Sequence, residues 1–158
     1  MEQLQRNQAR QPAARADERR HATGGGRPRA SVNHVAARVV AAALVVATGA
    51  IHLYLYQDGF SSVPTIGPLF LANFVVAVVL GLAVLVRGRW IWSLLGAGFC
   101  LGTLVGFLVS VHWGLFGYQE TLSGAWQGRA AAVEIAGTLA GLVVTVWALR
   151  VHRGRSAL

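Results

Sequence analysis

The stretch GPLFLANFVVAVVLGLAVLV, residues 67–86, carries no charged side chain, and Asn73 is its one strongly polar residue. A helix of about 20 residues is roughly 30 Å long, which matches the hydrocarbon thickness of a bilayer. Because backbone N–H and C=O groups find no partner in lipid, an apolar stretch of this length satisfies them by forming a helix. The stretch therefore predicts a transmembrane helix.

Three further apolar blocks of similar length lie at about 35–56, 91–111 and 130–149. Only Arg87-Gly88-Arg89 and its immediate neighbours separate the second block from the third, so these two helices must form a tight antiparallel hairpin. The sequence predicts an all-α polytopic membrane protein. Its transmembrane domain, residues 35–151, has four helices in two antiparallel hairpins.

The predicted domain has basic flanks of different composition. Residues 1–34 contain seven arginines, a Gly24–Gly26 run and little apolar surface beyond alanine. Such a segment cannot bury enough surface to offset the entropy of ordering, so we predict a disordered tail. Residues 152–158 are predicted to form a second, short basic tail.

Composition narrows the class of protein. Only 13% of the residues are charged, against about 25% in soluble domains. The single cysteine, Cys100, excludes a disulfide scaffold, a zinc ribbon and a dithiol enzyme acting alone. These figures also exclude an ordinary water-soluble enzyme.

The arginines indicate an orientation. All 14 basic residues are arginines, and 13 of them lie in the N-terminal stretch through Arg38, in the 87–89 turn or after residue 149. Arg129 alone lies on the other side. Since positive charge accumulates on the cytoplasmic side, we predict a multi-pass protein of the plasma membrane with both termini in the cytoplasm.

The N-terminal tail also suggests a partner besides the bilayer itself. Its arginines favour anionic lipid headgroups. Nucleic acid is disfavoured, because no aromatic residues are interleaved with the arginines and the tail carries three acidic residues of its own.

Within the helices, polar residues are few and lie toward the outer ends. Each is costly in lipid and is therefore a candidate for function. This predicted polar cluster consists of Thr48, His52, Asn73, Ser110, His112 and Glu134.

Two imidazoles and a carboxylate, from His52, His112 and Glu134, could ligate a metal ion, and the two histidines could ligate a haem. In the alternative interpretation the histidines extend to the interface and Glu134 bonds a neighbouring helix. No compact ligand motif is present, so we predict no cofactor and keep metal or haem as an alternative. Glu134 is also a candidate for proton titration or substrate contact.

Glycines at four-residue intervals predict close helix packing in lipid. The third helix carries Gly98, Gly102 and Gly106, and the fourth carries Gly137 and Gly141. We expect these two helices to pack against each other, which would bring the outer polar residues together.

Three segments carry a resemblance to known proteins: IHLYLYQDGF (51–60), VPTIGPLFL (63–71) and LFGYQE (115–120), together with Glu134. The chain from about 35 to 149 resembles small four-helix membrane proteins of high-GC Gram-positive, actinobacterial bacteria. The resemblance implies a topology and a source, not an activity. It is carried mainly by His52 and the 64–70 loop.

The leading hypothesis is a non-enzymatic accessory or structural membrane protein. It would present its outer polar cluster to a lipid, a metal or a membrane-protein partner, which includes a second copy of the chain. One alternative is a small-molecule or ion transporter that uses Glu134. Another is a metal- or haem-binding redox protein that uses His52 and His112.

Overall fold

A computed structural model describes residues 27–121 and 125–156, with side chains for 33–121 and 126–153. The described residues form four α-helices and no strand: α1 (Arg27–Gln57), α2 (Ile66–Arg87), α3 (Trp90–Trp113) and α4 (Ala125–Ser156). Each helix contains a segment long and apolar enough to cross a membrane. The prediction of an all-α membrane protein with four helices is confirmed.

Two predicted boundaries differ from the structure. Helix α1 begins at Arg27, so residues 27–34 are helical instead of belonging to a disordered tail; residues 1–26 lie outside the described residues. Helix α4 extends beyond 130–149 at both ends, and its last residues include part of the predicted tail. Each residue added to an existing helix gains a backbone hydrogen bond, so a helix can continue beyond its apolar stretch.

The chain divides into two units, residues 1–35 and 36–158. Within the second unit, one end of the helices carries the short turn between α2 and α3, and we call it the turn end. The other end carries segments 58–65 and 114–121, and we call it the loop end. A 3₁₀ helix, Phe60–Ser62, lies in the first of these segments.

Arg38 ties α1 to the turn end of α2. Its Nε donates to the Val84 carbonyl at 3.2 Å, and its Nη2 donates to the carbonyls of Val84, at 3.0 Å, and Leu85. Gly88 ends α2 with φ +60, a left-handed conformation that suits glycine. A positive charge on the last carbonyls of a helix also complements its dipole.

Helices α1 and α2 approach closely through small residues. A methyl group added at Gly49 would lie 2.5 Å from Ala77 Cβ, and one added at Gly81 would lie 2.5 Å from Val46 Cγ2. Without a hydrophobic force between helices in lipid, this close van der Waals contact is what holds them together.

Helices α3 and α4 also pack closely, but on a different face of α3 from the one predicted. Gly141 lies against Ser93 and Ala97, since an added methyl group would be 2.9 Å from the Ser93 carbonyl and from Ala97 Cβ. Gly137 lies against Cys100 in the same way, at 2.7 Å from its Sγ.

The predicted packing role of the glycine stripe on α3 is therefore corrected. A methyl group at Gly98, Gly102 or Gly106 would meet nothing within 4 Å. Four-residue spacing is common to both faces of α3, so the glycines alone did not identify the face that meets α4.

Candidate functional site: a cavity at the loop end

The loop end of the helices contains a partly open cavity of about 420 Å³. All four helices and both loop segments of the described chain contribute to its walls. Its aromatic lining includes Phe60, Phe70, Phe99, Phe107 and Tyr118. Its polar lining consists of His52, Asn73, Thr103, Ser110, Tyr118, Glu120, Gln127 and Glu134.

Aromatic contacts between the two loop segments form one wall. The Phe60 ring lies 4.9 Å from that of Phe70 and 5.3 Å from that of Tyr118, measured between centroids. The Phe70 ring in turn meets His52 edge-on at 4.9 Å. Burial, with a smaller contribution from the Glu120 carboxylate, raises the pKa of the Tyr118 hydroxyl above its ordinary value.

Two glycines of α3 make room for the cavity. Gly102 and Gly106 both line it, and both face open space. Gly98, one turn further along the same stripe, faces open space without lining the cavity. Two of the three glycines that the sequence predicted as a packing surface, Gly102 and Gly106, therefore line a cavity. We call this part of the lining the cavity floor.

Glu134 is the most unusual residue of the cavity. Its side chain is 1% exposed, and its buried Oε2 has no hydrogen-bond partner among the described residues. It lies eight residues beyond Trp126, which is about 12 Å along α4. Burying a carboxyl oxygen without a hydrogen-bond partner costs free energy, whether or not the group is ionised.

His52 faces the same cavity from α1. Its side chain is 8% exposed, and its Nδ1 lies 2.8 Å from the Thr48 carbonyl oxygen. A carbonyl can only accept, so Nδ1 carries the proton, and Nε2 of the neutral ring is left as an acceptor.

Asn73 and Thr103 connect α2 to α3 at the cavity wall. Thr103 Oγ1 donates to the Phe99 carbonyl at 2.9 Å and accepts from Asn73 Nδ2 at 3.2 Å. The Asn73 Oδ1 atom is buried and has no partner among the described residues.

Sequence reasoning missed Glu120 and Gln127, which also line the cavity. Gln127 Nε2 donates to Glu120 Oε1 at 3.2 Å, while the buried Gln127 Oε1 has no described partner. Glu120 is one of only six acidic residues in the chain, and this scarcity was the signal that could have identified it.

The predicted polar cluster is only partly brought together. His52, Asn73, Ser110 and Glu134 line the cavity. Thr48 does not; its hydroxyl donates to the Leu44 carbonyl and lies 3.7 Å from Cys100 Sγ.

His112 also lies outside the cavity lining, on an exposed face of α3, where its Nδ1 donates to the Leu108 carbonyl at 2.8 Å. Within the described residues, no three His, Cys, Asp or Glu side chains are grouped so that they could hold a metal ion. The structure therefore does not assemble the predicted metal set of His52, His112 and Glu134. His112 lies on an exposed face of α3, whereas Ser110, two residues earlier, lies on the face that lines the cavity.

The nearest basic residue along α4 is engaged elsewhere. The Arg129 guanidinium lies 4.8 Å above the Trp126 ring, which stacks on Tyr54 at 4.5 Å. No arginine is among the described residues that line the cavity. Within the described part of the lining, Glu120 and Glu134 therefore have no arginine beside them.

Comparison with protein-family models, with curated proteins and with solved structures finds no match to this chain.

Proposed function

We propose that this chain is a non-enzymatic membrane protein that binds a small, partly apolar molecule in the cavity at its loop end. The carrying observation is the Glu134 carboxyl, 1% exposed and without a partner for Oε2, in the wall of a cavity of about 420 Å³. Small-molecule sites are mainly apolar cavities of about 300–1,000 Å³ with a few converging polar groups, and this cavity has both properties.

The polar groups favour binding over catalysis. Ser110, the serine of the lining, directs its hydroxyl to the Tyr118 carbonyl at 3.5 Å and not to a base. A nucleophilic mechanism needs the serine to share a hydrogen bond with a base. Within the described lining, the buried oxygens without a partner are acceptors for a ligand, and Ser110 shares no hydrogen bond with a base.

Transport through Glu134 is a second candidate, favoured by the position of that carboxyl inside a spanning helix. On the turn-end side of the cavity, however, Gly137 and Gly141 lie in close contact with Cys100 and Ala97. Transport would require these contacts to separate. Binding requires no such change, so it is the better-supported function.

The distribution of arginines supports a cavity that faces the outside of the cell, with the basic termini in the cytoplasm and near anionic lipids. In this orientation the cavity would present its ligand to the outer leaflet or to a membrane-protein partner, as expected of an accessory protein. A labelled C terminus that is accessible only after permeabilisation of intact cells would support this orientation, and one accessible in intact cells would contradict it.

Binding is tested directly with a variant that fills the cavity. Gly106→Leu adds a side chain to the cavity floor, and Gly98→Leu adds the same side chain at an equally open site outside it. The ligand panel has one 2-phenylethyl body and four head groups: ammonium, trimethylammonium, hydroxyl and, as 3-phenylpropionate, carboxylate. We expect at least one member to raise the Tm of the wild type, because a ligand that binds only the folded state stabilises it.

The same member should raise the Tm of Gly98→Leu and leave that of Gly106→Leu unchanged. A panel in which no compound shifts the wild type, or in which both variants respond alike, would show that this cavity is not a binding site. Flux of the bound compound into proteoliposomes, lost in Glu134→Gln, would favour transport instead.

A further inference from the structure

We infer that the cavity takes a primary ammonium group carried on a small apolar body. The inference rests on the proposed binding function and adds the chemical class of the ligand. It depends on which atoms of the cavity wall are free, and on the bonds that fix their orientation.

The Asn73 amide is fixed by its neighbour. Thr103 uses its hydroxyl proton on the Phe99 carbonyl, so its oxygen can only accept from Asn73. The amide NH₂ must therefore be the group that faces Thr103. This leaves Oδ1, an acceptor, as the free and buried atom.

The Gln127 amide is fixed in the same way by Glu120. A carboxylate accepts hydrogen bonds and donates none, so Nε2 must be the group 3.2 Å from Glu120 Oε1. The free buried atom of Gln127 is again the oxygen. Two independent networks therefore leave acceptors without donors.

His52 and Glu134 add to this set. The Thr48 carbonyl holds the proton of His52 on Nδ1, which leaves Nε2 of the neutral ring as an acceptor. The Oε2 atom of Glu134 has no partner among the described residues, and beside a bound cation, which favours the ionised carboxyl, it accepts. The buried atoms of the described lining that have no partner are thus oxygens on two helices: Asn73 Oδ1 on α2, and Gln127 Oε1 and Glu134 Oε2 on α4.

A ligand complementary to this lining has several N–H donors and a positive charge. A primary ammonium has three donors and no acceptor, as a lysine side chain has. A hydroxyl has one donor and no charge, a trimethylammonium has the charge and no N–H, and a carboxylate would meet Glu134 with like charge. The aromatic wall, including Phe70 and Phe107, suits an apolar body and the face of a ring suits a cation.

The test measures the affinity of the four head groups for the full chain in nanodiscs of zwitterionic lipid by calorimetry. We expect 2-phenylethylammonium to bind at least about tenfold more tightly than the trimethylammonium and hydroxyl analogues, and 3-phenylpropionate not to bind. Equal or tighter binding of any analogue would overturn the inference.

Variants of the lining residues show which side chains contact the ammonium group. Glu134→Gln should weaken binding of the ammonium at least about tenfold and leave that of 2-phenylethanol unchanged, since only the ammonium uses the charge. Gln127→Met should weaken ammonium binding several-fold. Its matched control is Gln119→Met, because Gln119 lies outside the lining and donates to the Val111 carbonyl.

The outcomes separate the two proposals. If the alcohol or the carboxylate binds best and Gly106→Leu abolishes its binding, the cavity is a binding site and the ammonium inference is wrong. If no head group binds, both proposals fail. If the ammonium binds as expected but Glu134→Gln and Gln127→Met bind it like the wild type, the charge and the free oxygens do not recognise it, and the inference is wrong.

Discussion

The contact between α3 and α4 near the turn end and the cavity at the loop end differ, although small residues line both. Toward the turn end, Gly141 lies directly on Ser93 and Ala97. Toward the loop end, Gly102 and Gly106 face open space in a cavity wall. The same residue type closes the structure at one end and opens it at the other.

This difference teaches that a glycine stripe predicts closeness only when a partner surface meets it. Gly137 and Gly141 face Cys100 and Ala97 across the interface, so the backbones can approach. The loop-end cavity is instead lined by bulky rings such as Phe60 and Phe70, whose centroids lie 4.9 Å apart. Small residues at the loop end therefore leave room for the cavity.

The largest expected effect on stability comes from disrupting the close contact between α3 and α4. In Gly141→Leu the new side chain collides with the Ser93 backbone, which cannot rotate away, so we expect a loss of about 3 kcal/mol or more in the free energy of unfolding. Unfolding in mixed dodecyl maltoside and SDS micelles measures it. Gly98→Leu, at an open site, is the control; equal stability of both variants would contradict the close contact.

Removing Arg38 should have the next largest effect. In Arg38→Met the Val84 and Leu85 carbonyls lose their donor, and we expect a loss of about 2 kcal/mol by the same measurement. Arg89→Met removes an exposed charge at the same end and should change stability by less than about 0.5 kcal/mol. If the two variants are equally stable, Arg38 acts only through its charge.

In the cavity, removing a polar group should raise the free energy of unfolding instead of lowering it. Glu134→Met replaces a buried acceptor without a partner by an apolar side chain of similar size, so we expect a gain of about 1 kcal/mol or more in stability, together with loss of ammonium binding. Thr145→Val is the control, since its hydroxyl already donates to the Gly141 carbonyl at 2.8 Å and its removal should bring no gain. A Glu134→Met chain less stable than the wild type would show that the carboxyl is structural.

The smallest effect is expected from filling the cavity floor. Gly106→Leu should gain no more than about 1 kcal/mol, from the higher helix propensity of leucine, because nothing lies within 4 Å of the added Cβ. Thermal unfolding beside Gly98→Leu measures this. A loss comparable to that of Gly141→Leu would mean that the loop end is as closely packed as the turn end.

The four helices could be predicted from the sequence because each apolar block has the length that a bilayer requires. The hairpin at 87–89 could be predicted because a connection that short permits only neighbouring antiparallel helices. The ends of α1 and α4 could not, since each residue added to an existing helix gains a backbone hydrogen bond and the helix continues past the apolar stretch.

The site was predicted in part. His52, Asn73, Ser110 and Glu134 were found because a polar residue is costly in lipid, and this holds whatever the tertiary structure. His112 met the same criterion, but the rotation of α3 about its axis directs it to an exposed face. The sequence does not fix that rotation.

Glu120 and Gln127 were missed because their role arises from a hydrogen bond between a loop and a helix, which no spacing in the sequence indicates.

The most direct measurement of the central claim is the reactivity of a cysteine placed on the cavity floor. Gly106→Cys is compared with Gly98→Cys, both in a Cys100→Ser background, using a small cationic methanethiosulfonate reagent with and without 2-phenylethylammonium. We predict that Gly106→Cys reacts and that the amine slows it by about tenfold or more, while the amine leaves Gly98→Cys unaffected. If the amine protects neither position, or both equally, the loop end does not hold a ligand-binding cavity.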